Sequence, residues 1–183
     1  MESEFYEQNN ALLKSWNLQN SSNLPNASTW FGVTCVNSSV NKLNLEYVEP
    51  SMNNLSGNIT PQISELSKLI YLDLSSNLFS GKIPPEIGLL TNLETLMLYE
   101  NELNGSIPQE IGQLRSLTNL NLSANYLDGP IPASFGNLKN LSYLFLCINR
   151  LLGSIPREIG NLKNLVQVQM EYNQLSGSIP EES

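Results

Sequence analysis

Residues 93–117 read L-E-T-L-M-L-Y-E-N-E-L-N-G-S-I-P-Q-E-I-G-Q-L-R-S-L, and the frame they set runs through most of the 183-residue chain. Asn101 in this stretch belongs to a register of six, Asn53, Asn77, Asn101, Asn125, Asn149 and Asn173, each 24 residues after the last. Five residues before the last five asparagines stand Leu72, Leu96, Leu120, Leu144 and Val168, and three before stand Leu74, Leu98, Leu122, Leu146 and Met170. Four residues after each asparagine is a glycine, from Gly57 to Gly177, and an Ile-Pro pair follows from Ile83-Pro84 onward. Such self-similarity at one period is the signature of a repeat architecture.

Each residue type has a physical task. The L-x-L pair has period two, so it is a short strand with both leucines on one side. One such strand per repeat buries its leucines only by stacking on its neighbours. Parallel, adjacent strands are therefore expected near Asn44, Asp73, Met97, Asn121, Phe145 and Gln169. The asparagine amide carries donors and acceptors, so a stacked column of them can satisfy buried turn backbone. The glycine permits a positive φ. The proline fixes φ and ends local pairing, so the opposite side is expected to be irregular.

The full pattern, L-x-x-L-x-x-L-x-L-x-x-N-x-L-x-G-x-I-P-x-x-I-G-x, resembles the plant-specific class of leucine-rich repeat, and L-x-G-x-I-P is its mark. Residues 93–117 look like a repeat from a plant receptor-like kinase ectodomain. The resemblance implies an α/β repeat solenoid, a right-handed curved array with a parallel β-sheet on its concave face. It divides the chain into a disordered tail at 1–10, a degenerate N-terminal cap at 11–39, and repeats at 40–183, the first irregular and the last truncated. Ala11-Leu12-Leu13-Lys14 resembles the start of the family's cap, and Trp30-Phe31-Gly32-Val33-Thr34-Cys35 its end. Ser28 stands where that family usually has the first cap cysteine, which implies that Cys35 is unpaired. Val40, Leu43 and Leu45 fit the strand frame, but Asn53 comes five residues late, so residues 46–52 read as an inserted loop.

Composition excludes several classes of function. Charged residues make up 14 % of the chain and the net charge is −8, the opposite of what nucleic-acid phosphates require. No apolar run is long enough to span a bilayer. The start, Met1-Glu2-Ser3-Glu4-Phe5, lacks the basic and apolar stretches of a signal peptide. There is no histidine, which removes histidine-based triads and zinc–histidine sites. The only aspartates are Asp73 and Asp128, and the two cysteines, Cys35 and Cys147, make no metal set. Neither a catalytic set nor a cofactor or metal is expected, and the kinase domain of the resembled family is not in this sequence.

What remains is a surface. The residues six, four, two and one before each asparagine face away from the leucines, and their columns do not repeat. They include Tyr71, Asp73, Met97, Tyr99, Glu100, Asn119, Asn121, Tyr143, Phe145, Gln167, Gln169 and Tyr172, the candidate ligand-binding set. Aromatics on a rigid scaffold suit recognition, although tyrosine and phenylalanine also suit a strand surface with no partner. Six strands about 4.8 Å apart make a face on the order of 24 Å long, matching an extended peptide of about seven residues. The resemblance implies a peptide or protein ligand, or a partner receptor ectodomain, at the cell surface or in the apoplast. A cell-wall enzyme inhibitor of the polygalacturonase-inhibitor type, or a truncated product without function, is the alternative. Eight N-x-S/T sequons, at Asn20, Asn26, Asn37, Asn54, Asn58, Asn104, Asn121 and Asn140, agree with an extracellular setting.

Overall fold

The computed structural model describes residues 17–18, 33–36, 39–44 and 55–180. The tail, most of the expected cap including Ser28, the inserted loop, Asn53, and the sequons at Asn20, Asn26, Asn37 and Asn54 lie outside the described residues.

The expected strands form in the expected order. Ser39–Asn44, Tyr71–Asp73, Thr95–Met97, Asn119–Asn121, Tyr143–Phe145 and Gln167–Gln169 pair in parallel, each with the next. Val33–Val36 adds an antiparallel edge beside Ser39–Asn44, making seven strands. Leu72, Leu96, Leu120, Leu144 and Val168 are register partners in steps of 24. Leu43 pairs with Leu72, a step of 29, so the five extra residues fall between strands and leave the register intact.

A second sheet was not expected from the sequence. Leu78–Gly81, Glu102–Ser106 and Tyr126–Asp128 pair in parallel beyond each asparagine, joined by Leu55–Asn58 and, antiparallel, by Asn17–Leu18. Leu152–Gly153 pairs with Gln174–Leu175 in the same way. The proline does end pairing, but five or more residues separate it from the asparagine. Their amides lie at the repeat spacing and find partners. Here partners are 22 residues apart, as in Ser56↔Leu78 and Asn104↔Tyr126, rather than 24. Each repeat also carries a five-residue 3-10 helix: Pro61–Glu65, Pro85–Leu89, Gln109–Gln113, Ala133–Asn137 and Arg157–Asn161.

The asparagine column ties these parts together. Asn101 Nδ2 donates to the carbonyls of Leu98 and Tyr99 in its own turn and to that of Leu74 one repeat earlier, while its Oδ1 accepts the N–H of Phe79. Asn125 repeats the arrangement with Leu122, Ser123, Leu98 and Leu103. Each amide thus closes its own turn and clamps the repeat before it. Asn77, Asn101 and Asn125 are buried, and Asn149 and Asn173 are half-buried.

One core expectation needs correction. Leu72, Leu96, Leu120 and Leu144 are wholly buried, but Val168 is 41 % exposed and Met170 only partly buried. Among the described residues no strand pairs with the outer side of Gln167–Gln169 and covers that flank.

Candidate functional site

The outward residues of the strands make one open face, and the structure sorts the candidates on it. Tyr143 and Phe145 share a strand with ring centroids 6.4 Å apart and planes 23° apart. Tyr143 is exposed and Phe145 half-buried, so the stacked pair reaches solvent. Met97, Tyr99, Asn119, Asn121 and Gln169 are half-buried around it, and Gln167 is exposed.

Asp73 does not belong with them. It is 3 % exposed. One carboxylate oxygen accepts from the Tyr71 hydroxyl at 3.0 Å, and the other accepts from the Ser75 N–H at 3.0 Å and its hydroxyl at 2.5 Å. A short acceptor two residues before a turn folds back onto backbone, so this aspartate closes its own turn. Asn121 uses the same motif, its Oδ1 accepting from the N–H and hydroxyl of Ser123. Ser75 and Cys147, also in outward columns, are buried. Tyr71 is half-buried, with the Lys42 ammonium 4.4 Å from its ring centroid.

The residue just before each asparagine forms a rim of unusual backbone. Ser76, Glu100, Ala124, Ile148 and Tyr172 all have φ between 52° and 58°, the left-handed region that side chains with a Cβ disfavour. Three of them are exposed: Glu100, Ile148 at 54 % and Tyr172 at 79 %. Ile148 was not in the candidate set; its signal in the sequence is a β-branched apolar residue where the neighbouring repeats carry Ala124 and Tyr172. Glu100 accepts a hydrogen bond from Ser76 Oγ across the repeat at 2.7 Å.

Beyond Lys42, which stands on the first parallel strand beside Tyr71, the face is also electrostatically one-sided. Segments 71–76, 95–100, 119–124, 143–148 and 167–172 contain no lysine or arginine, whereas Asp73, Glu100 and Glu171 stand in them. Among the described residues no group of acidic, histidine or cysteine side chains could hold a metal.

Residues 38–182 match the family model described as a leucine-rich repeat region. No curated protein matches the chain. Among solved structures, the PEPR1–AtPEP1 complex aligns with a TM-score of 0.83 at 37 % identity, over 97 % of this chain and 26 % of that one. The Arabidopsis receptor kinase HAESA, solved with the peptide hormone IDA and the co-receptor SERK1, aligns with a TM-score of 0.81 at 28 % identity, over 97 % of this chain and 31 % of that one. The chain thus spans about a quarter to a third of these two. The BIR3–SERK2 complex of Arabidopsis thaliana aligns with a TM-score of 0.76 at 33 % identity, over 93 % of this chain and 94 % of that one. The chain belongs to the leucine-rich repeat family, and its fold is that of plant receptor-kinase ectodomains.

Proposed function

We propose that the chain is a ligand-sensing module that binds a peptide or a partner ectodomain on its concave strand face and carries out no chemical step. The observation that carries this reading is the Tyr143–Phe145 stack, half in solvent one strand in from the edge of a rigid sheet whose buried columns have no use for it. Large aromatics presented on a fixed scaffold lose little entropy on binding, and such residues dominate interface energies. The HAESA complex with a peptide hormone and a co-receptor is the same kind of event on a related fold.

The reading places the chain in the apoplast or at the cell surface. Among the described residues no helix is long and apolar enough to cross a membrane. Asn58 and Asn104 are exposed sequon residues on the second sheet, away from the strand face, so glycans there would leave the face open. Asn140 is exposed but donates to the Arg115 carbonyl, and Asn121 is tied to Ser123, so both are poorer acceptors.

The test is recovery of partners from plant apoplastic fluid by the wild-type chain and by Tyr143→Ala/Phe145→Ala. At least one partner held by the wild type should be lost by the variant. Equal recovery of every partner would place binding elsewhere.

A further inference from the structure

We infer that the occupant of the strand face is a cationic extended peptide segment, gripped between the rim carboxylate Glu100 and the outward carboxylate Glu171 and seated on the apolar rim and stack formed by Ile148, Tyr172, Tyr143 and Phe145. The inference rests on the reading of that face as the binding surface and adds the chemical class of what fills it.

Charge segregation is the first support. The chain carries nine lysines and arginines, yet none falls in the thirty residues of the five outward segments. Arg115, Lys139 and Lys163 lie in the loops leading into the strands, and Arg150 and Lys82 lie beyond them on the far sheet side. Lys42 sits at the border over the Tyr71 ring and marks where the anionic stretch begins. An anionic segment crossing the five strands beyond Lys42 would meet carboxylates with no cation among them to offset them. A cationic one would find Glu100 and Glu171 exposed. Their repeats are three apart, about 14 Å at the usual strand spacing, which four or five extended residues cover.

The second support is which side chains stand at the left-handed rim positions, whose φ all five repeats share. A β-branched residue in the left-handed region is a genuine outlier, and such strain gathers where a side chain is wanted for contact. Ile148 (φ 56°) and Tyr172 (φ 58°) hold large apolar groups in solvent at positions where Gly or Asn would relax the chain. Ile148 follows the Tyr143–Phe145 strand in the same repeat, and Tyr172 stands at the same place one repeat on. Between Glu100 and Glu171 the face therefore offers the polar Asn119–Asn121 strand and then the aromatic strand, which suits a segment with cationic side chains towards both ends and apolar ones nearer the Glu171 end.

Three capped peptides of about seven residues, with equal apolar content and Lys, Gln or Glu at the polar positions, test this by fluorescence anisotropy at low and high salt. At low salt the Lys peptide should bind about ten-fold tighter than the Gln peptide, and salt should erase the difference. Glu100→Gln/Glu171→Gln should remove most of that preference. Glu110→Gln/Glu158→Gln, which takes the same charge from the 3-10 side, should leave it. Equal loss in both variants would mean that only net charge attracts the peptide, and would overturn the proposal. A Gln or Glu peptide binding as tightly as the Lys peptide, and still weakened by Tyr143→Ala/Phe145→Ala, would overturn the cationic preference while leaving the face as the site. If no peptide's binding depends on Tyr143 and Phe145, the face itself is misassigned and the proposal falls with it.

Discussion

The two faces of the concave strands follow opposite rules. Inward, Leu96, Leu120 and Leu144 repeat one letter and are wholly buried. Outward, Met97, Asn121 and Phe145 on the same strands share nothing but their place in the register. An inward position must fit the identical position of the repeat before and after it, so any letter but one is penalised twice. An outward position meets solvent and is free to be chosen for something else. Regularity in this molecule therefore marks what the fold needs, and irregularity marks where a function can be written.

The contrast breaks hardest at the core. Leu120→Ala should cost about 4 kcal/mol in equilibrium unfolding, because rigid neighbours on both sides leave a cavity. Val168→Ala, the same column in the last repeat, should cost under about 1 kcal/mol because that side chain is already 41 % exposed. Similar losses at both would contradict stacking as the source of stability.

Asn125→Ala should cost about 3 kcal/mol. It strands the buried Leu103 N–H and takes one donor from each of the carbonyls of Leu98, Leu122 and Ser123, which keep Asn101 Nδ2, Asn149 Nδ2 and the Glu100 N–H. A cost under about 1 kcal/mol would show that water replaces the amide and that the asparagine column is not a clamp.

Glycines sharpen the point, since Gly112 and Gly160 occupy the same place in the repeat. A Cβ on Gly112 would lie 2.5 Å from the Ser134 carbonyl oxygen of the next 3-10 helix, whereas one on Gly160 would meet nothing within 4 Å. Gly112→Ala should cost about 2 kcal/mol by forcing stacked repeats apart. Gly160→Ala should be neutral. Thermal melts of the pair decide it, and equal melting would remove the steric role of this glycine.

The inward rule was legible in the sequence because it is written repeatedly, and strands, register and the asparagine column followed from it. The second sheet was not. Its glycines blur the period of two, and its partner spacing of 22 is hidden beneath a sequence period of 24. Nor was the burial of Asp73 foreseen. Asp73-Leu74-Ser75 and Asn121-Leu122-Ser123 share an acceptor-x-serine turn, but both stood in columns defined as outward by spacing alone. Ile148 was left out of the candidate set because the left-handed backbone of its column, which makes a β-branched letter there unusual, is not visible in the sequence.

The smallest expected effects lie on the outward face. Ile148→Gly should stabilise the chain by about 0.5–1 kcal/mol, by releasing a left-handed β-branched residue. It should also weaken partner binding. Denaturant midpoints check the first effect, and no gain would mean that the rim is unstrained.

Phe145→Ala joins the two rules in one experiment, with unfolding and partner binding measured on the same protein. Stability should stay within about 0.5 kcal/mol of wild type, since the outward ring fills no core position, while binding should weaken by about 1 kcal/mol or more. A variant that binds undiminished, or one that loses stability in step with binding, would contradict a strand face free of the fold and given over to recognition.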